Sequence, residues 1–96
     1  MPCALEFAPR AIEAIGRLCD SLPTSRREPA VDAIDRLCKE FAANPDASPR
    51  GPGLALSFRL EFVIEGVTYN WAATYLRSTG EGTDTIHITH VFRIPL

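Results

Sequence analysis

Arg59, Glu61, His87 and Arg93 carry side chains that can move protons and hold phosphate. Cleavage of RNA through its 2′-hydroxyl needs a base to take a proton and a cation for the phosphorane charge. It also needs an acid for the leaving oxygen. Glu61 or His87 has the chemistry of the base, and Arg59 or Arg93 that of the cation. All four stand in stretches where polar and apolar residues alternate, so one face of a sheet must carry them. A solvated sheet face ordinarily bears such residues with no chemistry at all.

The elements that position them follow from periodicity. Phe58, Leu60, Phe62 and Ile64 alternate with Arg59, Glu61, Val63 and Glu65. Glu65-Gly66 then predicts a two-residue hairpin turn. Pairing across it sets Arg59 opposite Ala72, Glu61 opposite Asn70 and Val63 opposite Thr68, all on the polar face. Val67, Tyr69, Trp71, Ala73 and Tyr75 fall on the other face. That side is core, so the aromatic residues are read as packing rather than as a stacking platform for bases. After a second turn over residues 78–84, Ile86, Ile88, His90 and Phe92 alternate with His87, Thr89, Val91 and Arg93. A simple register adds His87, Thr89 and Arg93 to the polar face and puts His90 in the core. A bulge near the end of that strand would reverse the assignment of His90.

The N-terminal half switches to helical spacing. Ala4-Leu5-Glu6-Phe7 reads as a short strand, and Pro9 suits the first position of a helix. Ile12, Ile15, Cys19 and Leu22 recur along that helix, with Ala8, Ala11 and Leu18 widening the stripe; Val31, Ile34, Cys38 and Phe41 recur along a second. The start of the second helix is ambiguous between a capping box at Ser25 and a Pro29 start. Arg26-Arg27, at the tip between the helices, reads as a solvated pair. Residues 44–55 hold three prolines and two glycines and read as a loop. The expected architecture is α+β in the order β-α-α-β-β-β. A helical hairpin covers one face of a three- to four-stranded antiparallel sheet, and the first strand joins an edge.

The 96 residues carry 10 Lys and Arg against 12 Asp and Glu, a net charge of −2. One domain over residues 1–96 is expected, because two cores would each be too small. The charge gives no basic surplus of the kind nucleic-acid binders show. Cys3, Cys19 and Cys38 are odd in number with no CxxC pair, which speaks against a disulfide framework or a zinc site. No P-loop, GxSxG or metal-ligand spacing is present, so no cofactor and no metal are expected. No apolar run is long enough to span a bilayer and no leader is visible, so the expected compartment is the cytoplasm.

Three motifs in this order resemble the RelE/ParE superfamily of type II toxins. Leu5-Glu6-Phe7-Ala8-Pro9-Arg10-Ala11-Ile12 is similar to the family's strand-to-helix entry. Phe58-Arg59-Leu60-Glu61-Phe62 is similar to its strand before a tight turn, and Ile86-His87-Ile88-Thr89-His90 to its final strand. The resemblance implies a toxin component held by a cognate antitoxin, in the cytoplasm. It acts by binding gyrase or another partner, or as a metal-independent mRNA endonuclease on the ribosome; an inactive member kept for protein binding or regulation is the third possibility. A flexible antitoxin segment implies an exposed apolar groove on the toxin, through which a homodimer can also form. Its candidate lips are the 44–55 loop and the outside of the hairpin. The family's basic positions after the central turn and after the final His are here Thr68, Asn70 and Val91.

Overall fold

The computed structural model describes residues 3–47, 56–80 and 82–95. Strand β1 (Ala4–Phe7) leads into helices α1 (Pro9–Asp20) and α2 (Thr24–Ala43) and a short 3-10 turn (Pro45–Ala47). Strands β2 (Ser57–Ile64), β3 (Val67–Ser78) and β4 (Thr85–Arg93) complete the chain. The four strands lie in the order β1-β4-β3-β2. The fold is therefore α+β in the expected sequence of elements. The sheet is mixed, because β1 runs parallel to β4 while the other two pairings are antiparallel. Residues 48–55, most of the loop considered as a groove lip, lie outside the described residues.

Pro9 occupies the first turn of α1, where a missing N–H costs nothing. Helix α2 starts at Thr24 and runs through Pro29, ahead of both starts considered from sequence. The tip arginines are not free. Arg27 donates to the carbonyls of Leu22 and Asp20, closing the connection between the helices. Arg26 reaches the β2–β3 turn and bonds Glu65 at 2.8 Å and the Tyr69 hydroxyl at 3.0 Å. The Arg26 hydrogen bond holds the Glu65 carboxyl below the ordinary glutamate range. Glu65 and Gly66 both take positive φ, 52° and 80°, as this hairpin turn requires.

The core lies between the helices and the face carrying Phe58, Leu60, Phe62, Ile64, Trp71, Ala73, Ile86, Ile88 and Val91. Phe41 stacks on Phe58 with ring centroids 3.9 Å apart, and Phe62 meets Trp71 edge-on at 5.1 Å. The expected stripes hold except at one position in each helix, Ile12 and Val31. Ala11 and Ala14 are buried in α1, whereas Ile12 is 59% exposed. At about 100° per residue, Ala11, Ala14, Ile15, Leu18 and Cys19 share one arc of α1 and Ile12 falls at its edge. In α2, Ala30, Ile34, Cys38 and Phe41 point inward, and Val31 is left 45% exposed. Small alanines at the contact let the helices sit close to the sheet, displacing the larger residues.

Cys19 and Cys38 are buried and unbridged. Burial pushes the Cys38 thiol up to about 12, and Asp35 adds to the shift. Because the thiolate is the reactive form, Cys38 in the folded protein should resist a thiol reagent at pH 8. It should react within the unfolding transition, read by mass after labelling across a urea series.

Candidate functional site

Two surfaces remain after the core is built: the sheet face turned away from the helices and the outer flank of the helical hairpin. On the sheet face, Arg59 stands opposite Ala72, Glu61 opposite Asn70 and Val63 opposite Thr68, as the turn geometry demands. The β3–β4 register slips between Thr74 and Tyr75: Thr74 pairs with His90 and Tyr75 with Ile88, leaving Thr89 as the extra residue. This bulge reverses the alternation beyond it.

Two assignments are corrected by the bulge. His90 is not in the core; it joins Thr74 on the open face, and Phe92 joins Ala72. Arg93 is not on the open face. It lies opposite Trp71, on the helix side, and donates to the Ser21 hydroxyl at the end of α1. The open face therefore carries Arg59, Glu61, Asn70, Thr74, His87, His90 and Phe92. The Thr74 and Thr89 hydroxyls bond each other at 2.7 Å beside the bulge. His90 stacks against Phe92, and its buried Nδ1 has no hydrogen-bond partner among the described residues. Ala72, between Arg59 and Phe92, is fully buried although it faces away from the helices.

His87 stands at the other end of the face. Its Nδ1 lies 3.0 Å from Glu6 of β1, and its Nε2 lies 3.0 Å from the Ser78 hydroxyl. Hydroxyl, imidazole and carboxylate in line have the order of a nucleophile, its base and an orienting acid. The carboxylate side chain is 65% exposed, so water competes with it for the imidazole. His87 sits opposite Leu76 and Arg59 opposite Ala72, two strands apart. Strand spacing and rise put their backbones roughly 16 Å apart. Arg59, Glu61, His87 and Arg93 thus do not meet around one phosphate. Among the described residues, no three His, Cys, Asp or Glu side chains group to hold a metal ion.

On the second surface, two residues that the expected stripes placed in the core stand outside it. Ile12 and Val31, turned off the core, line a cleft of about 220 Å³ with Phe7, Ile15, Ile34 and Asp35. Its wall is almost wholly apolar, with the Asp35 carboxylate at the rim bonded to Lys39 at 2.8 Å. Such a wall takes apolar side chains of a peptide or protein rather than phosphate. No described helix is long and apolar enough to cross a membrane.

A scan of family models finds no match to this chain. No curated protein matches it, and no solved structure matches it.

Proposed function

We propose that this chain is a divergent RelE/ParE-type toxin component, acting in the cytoplasm by binding gyrase or another protein partner. The observation that carries the reading is the division of labour between its surfaces. The charged groups of the sheet face are dispersed, whereas the exposed apolar residues of the hairpin converge in one cleft. The cleft is the expected seat of an apolar segment of the cognate antitoxin. A net charge of −2 adds little long-range attraction to a ribosome coated in phosphate.

The endonuclease reading keeps one observation of its own. The bulge brings His90 onto the face that carries Arg59, so a base and a cation share a surface. That reading requires cuts in mRNA during translation that vanish in an Arg59→Ala, His90→Ala variant, a loss of 10²–10³ or more in rate. The binding reading expects growth inhibition on induction, no new 5′ ends in translated mRNA, and inhibition retained by the double variant. Absence of any growth effect would favour an inactive binding or regulatory member.

A further inference from the structure

We infer that the outer edge of β2 pairs with the same edge of a second copy, forming a two-fold dimer centred on Leu60. This inference stands apart from the proposed toxin role. Strand β2 is eight residues long and ends the sheet, with β3 on its inner side alone. It contains no proline, and its register with β3 is unbroken, so neither a proline nor a bulge blunts it.

The turn decides which backbone groups face outward. Ile64 and Val67 close a two-residue hairpin and form its hydrogen-bonded pair. Bonded pairs then recur at Phe62, Leu60 and Phe58. The N–H and C=O groups of Arg59, Glu61 and Val63 point away from β3, toward the outer edge, where no other strand among the described residues pairs with them. A cleft lined by Pro29, Asp32, Ala33 and Arg36 runs between α2 and residues 62–64, so the helix leaves this end of the edge open.

Charge selects the register. With the two-fold axis at Leu60, Arg59 falls opposite Glu61 of the partner subunit, and Glu61 opposite Arg59 of the partner subunit. Both are residues whose backbone groups face outward, so two attractive pairs coincide with inter-strand hydrogen bonds. Moving the axis one residue either way sets Arg59 against its own copy or Glu61 against its own copy, placing like charges opposite each other. Among the described residues, neither Arg59 nor Glu61 has a hydrogen-bond or ion-pair partner within the chain, so both are available. Val63, 64% exposed, gains a neighbouring strand in the same step.

The test is a charge swap read by sedimentation equilibrium of the full chain over a wide concentration series. The wild type should show a monomer–dimer equilibrium. Arg59→Glu or Glu61→Arg alone turns both pairs repulsive and should weaken the dimer about tenfold or more. The double swap restores opposite charges in both pairs and should recover most of the affinity. Both side chains are exposed, and unchanged circular dichroism melts would show that the fold is intact. Amide exchange of the wild type gives a second readout: protection of Arg59, Glu61 and Val63 should rise with concentration, while Leu60 and Phe62 stay protected throughout. A monomer at every concentration would overturn the inference. So would a dimer indifferent to the single reversals, or one that the double swap fails to restore.

Discussion

Leu60→Ala should lower the unfolding free energy by about 3 kcal/mol, within the ~2–5 kcal/mol typical of emptied leucine sites. Leu60 is fully buried and pairs across the sheet with Trp71, at the centre of the layer beneath the helices. Deleting its branched end leaves a void that the aromatic neighbours cannot fill without leaving their edge-on contact. A domain of this size is held by ~5–15 kcal/mol, so the variant should melt roughly 12 °C or more below the wild type. Val63→Ala, one strand position from the turn-closing pair and facing solvent, should fall within ~0.5 kcal/mol of the wild type. Urea midpoints with equal slopes would make the comparison. Similar losses for both residues would mean that the strand is not seated as described.

Ile12→Glu, combined with Val31→Glu, should abolish rescue of growth by the co-expressed antitoxin while leaving the fold in place. Both side chains stand on the flanks of their helices, outside the packed arcs, so their replacement removes little buried area. In a complex, the same carboxylates would be trapped against apolar groups with no counter-charge, which is costly. A loss of about 100-fold in antitoxin affinity is the expected scale, enough to free the toxin at ordinary cellular concentrations. Full rescue of a well-folded double variant by the antitoxin would separate the cleft from partner binding.

The contrast between these two sites shows what a reader of the sequence can and cannot see. The β2–β3 hairpin was legible because Glu65-Gly66 permits one tight turn, and that turn sets every cross-strand partner from Ser57 to Ile64. Beyond Thr74 the alternation ceases to be decisive. His90, Val91 and Phe92 contain an apolar residue in either phase, so the segment fits the sheet with or without the extra Thr89. The bulge wins by burying Val91 completely, and in doing so carries Arg93 to the helix side and His90 to the open face. The cleft was concealed for a different reason. Periodicity drew a stripe on α1 wide enough to hold both Ala11 and Ile12 and did not say which edge packs; Ile12 and Val31 looked like core, while Ala11, Ala14 and Ala30 are the ones buried. The Glu6–His87–Ser78 line is a third case, since parallel pairing of β1 with β4 is what sets Glu6 beside His87.

On the proposed reading, the hairpin cleft, not the open sheet face, holds the partner. Titration calorimetry against the protein encoded by the adjoining reading frame tests it most directly, using wild type, Ile12→Glu and Arg59→Ala. Wild type and Arg59→Ala should bind tightly, and Ile12→Glu should bind about 100-fold more weakly or not at all. Equal affinity of Ile12→Glu and wild type, or a loss confined to Arg59→Ala, would contradict it.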